Sequence, residues 1–468
     1  MKKSYEMDMC HGSLFKKLLI FAIPLMLSGI LQLLFNAADM VIVGKFSGSH
    51  ALAVVGSTSA LINLLVNVFI GLSVGTNVLI AQYYGAKDGP NVSETVHTSV
   101  LISLISGSIL ILIGVILAKP ILKIMGTPDD VIEHSVLYIR IYFLGMPVTL
   151  LYNFGAAILR AIGDTKRPLY FLFLAGVLNV ILNLIFVIVF DMGVAGVALA
   201  TVISQMVSAY LVVRCLMFMD GMCRLNLRKL HIYKDKLKSM FEIGLPAGMQ
   251  GAVFSLSNML IQSSVNSFGA VAMAGNTAAS NIEGFAYNSM NAVHQTALSF
   301  TSQNIGAKNY KRLEKIMKQC LLLVSAIGIG MGAITYIMGE SLLSIYSFEI
   351  EVIQYGFLRL QIFSLAYFLW GIMDTMVGIL RGMGYSIMPM IVSLTGVCGF
   401  RVLWVFTIFA WKHSLFVLYI SYPISWFITA VAHIICYQMV KKRIFFEQKE
   451  MEFSNGRIPS IKKERKNR

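Results

Sequence analysis

Apolar residues occupy the chain in long blocks separated by short polar links. Twelve of these blocks reach the roughly 20 residues that an α-helix needs to cross a hydrocarbon core. They fall at residues 14–40, 51–82, 93–118, 132–159, 168–190, 193–217, 238–267, 272–304, 315–339, 351–380, 387–411 and 415–440. The pattern predicts an all-α polytopic membrane protein with twelve transmembrane helices.

Inside this pattern a second, longer period is visible. The string "QYYGAKDGPN" at 82–91 returns as "QNIGAKNYKR" at 303–312, a displacement of 221 residues. Pro24 in "AIPLM" returns as Pro246 in "GLPAGM" at 222, and "LRAIGDTKRP" (159–168) returns as "LRGMGYSIMP" (380–389) at 221. One displacement held over so long a stretch marks a duplicated half. Each half carries six blocks, an even number, so both enter the membrane in the same orientation. The expected architecture is two parallel-repeat six-helix bundles, 14–217 and 238–440, related by an axis along the membrane normal. Residues 1–13 form the N-terminus, 218–237 a basic linker and 441–468 a basic tail.

Composition agrees with this picture. Of 468 residues, 57% are hydrophobic and 13% charged, and mean hydropathy is +0.74, which excludes an ordinary soluble domain. The net charge of +15 would suggest nucleic acid in a soluble chain, but its placement argues for topology instead. With the N-terminus in the cytoplasm, all of the 38 Lys and Arg fall on that side except Lys45, Lys119, Lys123 and Lys412 opposite and Arg140, Arg359 and Arg401 inside blocks. By the positive-inside bias both termini are cytoplasmic, the tail lying near anionic lipid, in the cell membrane. The first block follows Lys2, Lys3, Lys16 and Lys17, but it is too long for a signal peptide and has no small-x-small cleavage site, so an uncleaved helix is expected. The six cysteines show no paired or metal spacing and read as packing residues.

Read in order, "AIPLMLSGILQLLFNAADMVIVGKFSG", "AQYYGAKD", "LRAIGDTKRP", "GLPAGMQG" and "SFTSQNIGAKN" resemble the multidrug and toxic compound extrusion (MATE) transporters, in particular the DinF/MepA-like branch. The resemblance covers residues 14–440. It implies a secondary antiporter that expels organic, often cationic, compounds in exchange for protons or sodium ions.

Candidate chemistry lies in polar residues within the blocks, where a charge costs roughly 2.5–3.5 kcal/mol or more and is kept mainly for function. Asp39 is the first, with Asn36 three residues earlier on the same face. A carboxylate there can carry a proton or, with amide and hydroxyl oxygens, a hard cation. Asn179 and Asn183, at i and i+4, point the same way from the fifth block, a spacing that also serves interhelical hydrogen bonding. The resemblance implies that Asp39, Asn179, Asn183 and Thr201 form a coupling-ion site, a metal site if the ion is sodium, with Asn153 joining it. Asn183 stands where some family members carry an aspartate.

In the second half, Glu283, Tyr287, Asn291 and His294 recur at steps of four, four and three, one polar stripe on the eighth block. With Asp374 they are assigned to an organic cation, His294 being more readily a satisfied polar residue than a relay. The alternative for Glu283 is a salt bridge to a buried arginine such as Arg359. Pro24 and Pro246 are assigned as hinges, since proline removes a helix hydrogen bond and bends the chain. Abundant Met and aromatic residues suit a deformable cavity wall.

Two other classes are weighed. A flippase for a lipid-linked saccharide or other amphiphile would want a more cationic cavity than Arg140, Arg359 and Arg401 supply. An enzyme would need a catalytic constellation, and neither a Walker loop, HExxH nor a serine-histidine-acid set is present. Neither cofactor nor nucleic acid is called for, and a monomer is expected.

Overall fold

The computed structural model describes residues 5–124 and 129–454. Lys2, Lys3 and the last part of the basic tail, 455–468, lie outside the described residues. The first half contains α1 (Leu14–Phe46), α2 (Gly48–Gly85), α3 (Gly89–Ile124), α4 (Asp129–Leu144), α5 (Met146–Ala161), α6 (Lys166–Leu184) and α7 (Gly193–Phe218). The second contains α8 (Lys234–Asn266), α9 (Ala270–Gly306), α10 (Tyr310–Leu343), α11 (Ile350–Ser364), α12 (Tyr367–Gly382), α13 (Ile387–Ser393), α14 (Phe400–Trp404) and α15 (Leu415–Ser454). No strand occurs among the described residues.

These helices form one rod for each of the twelve predicted blocks, because some rods are interrupted. α4 and α5 are one broken rod with a 46° bend, and α11 and α12 another with a 56° bend. At the first break Pro147 lacks the amide that would close the turn onto Phe143. α6 runs on into a π-helical turn, Ile185–Val189, and α13 and α14 are joined and followed by two more, Leu394–Gly399 and Val405–Phe409. α1 and α8 each continue as a single helix through their proline.

By length and composition eight helices can cross a membrane, or ten if each bent pair counts as one span. The other two, α8 and α9, are 33 and 37 residues long but more polar. Their polar side chains, Gln250, Asn258, Gln262, Asn276, Glu283 and His294 among them, face a cavity inside the protein. Polar residues are tolerated at that depth when they face protein or water rather than lipid.

The halves meet at the end that carries the chain termini. α2 crosses α8 so closely that a Cβ on Gly71 would lie 2.2 Å from the Gly248 amide nitrogen, and one on Gly248 would lie 2.2 Å from the Val68 carbonyl. Small residues at crossings let backbones approach where lipid supplies no hydrophobic drive between helices. The repeated string explains itself at the end of the same seam. A Cβ on Gly85 would meet the Gln303 carbonyl at 2.1 Å, and one on Gly306 would meet the Gln82 carbonyl at 1.8 Å. Each copy of the motif thus packs on its counterpart in the other half.

An N-terminal strap crosses this closed end. Met7 donates its amide to the Ile162 carbonyl at 3.2 Å, on the first half. Asn304 donates to the Met9 carbonyl at 3.2 Å and Arg312 to the Gly12 carbonyl at 3.0 Å, on the second. The Met9 side chain is fully buried.

Gly306→Ala must push the Gln82 backbone away, whereas a Cβ on Gly330 meets nothing within 4 Å. The expected result is a loss of about 1–3 kcal/mol for Gly306→Ala and none for Gly330→Ala, read as thermal unfolding midpoints of the purified protein.

Candidate functional site

A cavity of about 670 Å³ opens between α2 and the second half. α9 supplies one wall with its polar stripe, and Glu283, Tyr287, Asn291 and His294 all line the space, as does Asp374 from α12. The side chains do not stand free. Glu283 is held in a bidentate pair by Arg359, at 2.8 Å to Nε and 2.6 Å to Nη2. Arg359 also donates to the Asn276 amide oxygen at 2.5 Å, and Tyr419 donates to that same oxygen at 3.1 Å. Of the two readings of Glu283, the pair with Arg359 is the one that forms. Its charge is compensated inside the protein, which removes it as a free anionic anchor for a cation.

Asp374 is less fully answered. Its backbone carbonyl lies 2.7 Å from His294 Nδ1, its Oδ1 lies 3.4 Å from the same nitrogen, and its buried Oδ2 has no hydrogen-bond partner. His294 is therefore tied to Asp374, the satisfied polar residue of the two readings. Tyr287 joins an aromatic row: it stacks on Trp370 at 5.2 Å between centroids, and Trp370 stacks on Trp426 at 5.2 Å and 6°.

Two arginines complete the wall. Arg381 donates to the Gln250 amide oxygen at 2.8 Å. Arg401 donates through Nε to Ser425 at 2.9 Å, and its guanidinium lies over the Tyr422 ring at 3.8 Å. Arg381 escaped the sequence reading because it sits one residue past the predicted end of its block and was counted with the cytoplasmic cations. Its only sequence signal is the repeat, which pairs it with Arg160 at 221. Asn276, Trp370 and Trp426 carried no signal of their own. Arg140 is exposed, donates to the Val115 carbonyl at 3.3 Å and is not part of the cavity lining.

In the first half, α1, α6 and α7 bring together the other cluster. Asn183 donates its amide to Asp39 Oδ1 at 2.5 Å and to Asn179 Oδ1 at 3.2 Å. Asn179 in turn donates to Thr201 Oγ1 at 3.4 Å. Four oxygen-bearing side chains from three helices thus converge, and the Asn183 amide oxygen is buried without a partner. That donor set is carboxylate, amide and hydroxyl oxygen, the chemistry that hard cations prefer. Two expected members stay out of the chain of hydrogen bonds. Asn153 donates to the Thr149 carbonyl of its own helix at 2.9 Å, and Asn36 points outward, exposed.

The Glu283–Arg359 pair supports a stability prediction. Glu283→Gln leaves a buried guanidinium without its counter-charge and is expected to cost about 3–5 kcal/mol. Combining it with Arg359→Met, which removes the stranded charge, is expected to recover most of that loss in thermal unfolding. A single variant as stable as the parent would show that the pair is dispensable.

Comparison with known proteins places this arrangement. The chain is 29% identical over 92% of its length, and 95% of the relative's, to the probable multidrug resistance protein YoeA of Bacillus subtilis. It is 22% identical over 80% of its length, and 82% of the relative's, to the multidrug export protein MepA of Staphylococcus saprophyticus. A solved MOP superfamily transporter from Pyrococcus furiosus shares the fold at a TM-score of 0.89, with 22% identity over 94% of this chain and 99% of that one. The MatE family model matches twice, at residues 24–185 and 246–407, displaced by the same 222 residues that separate Pro24 from Pro246. Over most of its length, and in both halves, this chain belongs to the MatE family of membrane transporters.

Proposed function

We propose that the protein is a secondary antiporter of the cell membrane that exports organic drugs, cations among them, in exchange for protons or sodium ions. The carrying observation is the division of the interior into two chemically different places. The first half gathers Asp39, Asn179, Asn183 and Thr201 into an oxygen cluster suited to a small cation. The second half encloses an aromatic cavity of drug-binding size. The names of the relatives, which describe multidrug resistance and export, support the substrate side of this reading.

Energy is drawn from an ion gradient, since the chain has no nucleotide-binding loop. With both termini cytoplasmic, the glycine-packed seam closes the cytoplasmic end and the cavity belongs to an outward-open state. Rocking of one half against the other exchanges that state for its opposite, with Pro24 and Pro246 as the flexing points of α1 and α8. Ion and drug act on each other through this equilibrium and need no shared atoms, because a ligand shifts states by binding one of them better. Asp374, with its unpartnered oxygen, is the available anchor for a cationic substrate. A flippase for an amphiphile is the second reading; the cavity wall carries three arginines against two carboxylates, one of the three closed by Glu283.

Ethidium export from loaded proteoliposomes decides between them. Dissipating one of the two gradients, proton or sodium, each collapsed separately, is expected to abolish export. Export undiminished after both are dissipated would defeat the antiport reading. Asp39→Asn is expected to bind ethidium still but no longer to release it on addition of the coupling ion. Pro24→Ala is expected to slow export several-fold, and a normal rate would leave that proline a packing residue only.

A further inference from the structure

The cavity wall is richer in fixed positive charge than a site for cations alone would be. Its acidic, basic and histidine side chains are Glu283, Asp374, His294, Arg359, Arg381 and Arg401. Glu283 and Arg359 cancel each other in their bidentate pair. Arg401 has no such counter-charge: among the described residues its polar partner is the neutral Ser425 hydroxyl, and its Nη2 is buried with no hydrogen bond at all. It is only 5% exposed. A guanidinium kept inside a membrane-spanning bundle without a carboxylate is expensive, and such residues mark ligand paths. Tyr422 at 3.8 Å and Trp426 at 5.7 Å hold its plane by cation–π contact, which fixes the guanidinium at the cavity wall with Nη2 unpaired.

The internal repeat gives an independent reason. Counted 222 residues on, as from Pro24 to Pro246, Asp39 of the first half corresponds to Ile261. Ile261 lines the same cavity as Arg401. The position that holds a carboxylate in the first half therefore holds an aliphatic side chain in the second. The second half has no carboxylate at that position and carries an uncompensated guanidinium in the same cavity.

We propose that Arg401 is the anchor for a negatively charged group, and that the cavity takes flat aromatic monocarboxylates, the carboxylate on the Arg401 fork and the ring system on the row Tyr287, Trp370 and Trp426. A planar carboxylate matches the guanidinium edge with two parallel hydrogen bonds, and the row offers stacking faces for the ring. This rests on the reading of the cavity as the place where exported compounds bind.

The test is calorimetric titration of the purified full chain with naphthoate and with naphthamide, which differ in charge and little in shape. Naphthoate is expected to bind about tenfold or more tightly than naphthamide. Arg401→Gln is expected to bring that ratio to about one, and Arg401→Lys, which keeps the charge and loses the fork, to an intermediate value. Equal affinity for the two probes in the parent protein overturns the anion site, as does a ratio that survives Arg401→Gln. Should Arg401→Gln not fold, the Arg401→Lys ratio decides: a several-fold drop supports the fork and an unchanged ratio overturns it. A protein that exports ethidium on an ion gradient but shows no preference for naphthoate overturns this inference alone. One that prefers naphthoate but exports nothing under any gradient overturns the antiport reading alone.

Discussion

A charge placed within a membrane-spanning bundle has to be answered by another protein group, and the interior of this protein is organised around how each charge is answered. Glu283 is met in full by Arg359, which is itself steadied by Asn276 and Tyr419. Asp39 is met by a neutral amide, and Asp374 by His294 on one oxygen only. Arg401 is met by a hydroxyl and by aromatic faces. The order runs from complete pairing to incomplete pairing, and it separates structure from chemistry. A closed pair has little left to give a ligand, because any new partner must first compete with an existing one. The incompletely paired groups are those for which a ligand supplies what the protein withholds.

The duplication is kept and discarded in different places. At the closed end the two QxxGAK strings pack reciprocally, and a change in one is felt by the backbone of the other. Symmetry is held there by sterics. Around the interior clusters no such reciprocity operates: the first half gathers its side chains from α1, α6 and α7 and the second from α8, α9, α11, α12, α14 and α15. There the copies have gone separate ways in charge. One scaffold thereby provides two interiors of unlike chemistry on either side of a common seam.

Much of the architecture was legible in the sequence because it rests on long-range patterns that survive without tertiary information. The apolar blocks located the rods, and the shared displacement of Pro24 and the GAK strings revealed the two halves. The polar stripe of α9 was visible too, whereas the polar side chains that α8 turns to the cavity were not. Of the first-half cluster, the i, i+4 spacing of Asn179 and Asn183 was readable locally, whereas the convergence with Asp39 and Thr201 came from family resemblance. Asn153 illustrates the limit: an amide within a helix can always turn back on its own carbonyls, as it does here toward Thr149. The closure of Glu283 by Arg359 spans 76 residues of sequence and depends on how α9 and α11 pack. Arg381 was hidden by the difficulty of fixing where a span ends.

The strap across the closed end bears on how the molecule is made. Residues 7–12 leave the ribosome long before Asn304 and Arg312, their partners some 295 and 300 positions later in the chain. Until α9 and α10 have been inserted, the buried seat of Met9 does not exist, and the strap lacks its hydrogen bonds to Asn304 and Arg312. A stretch translated before either half is thus packed only after its partners in the second. Its docking therefore waits until both halves have been completed and brought together.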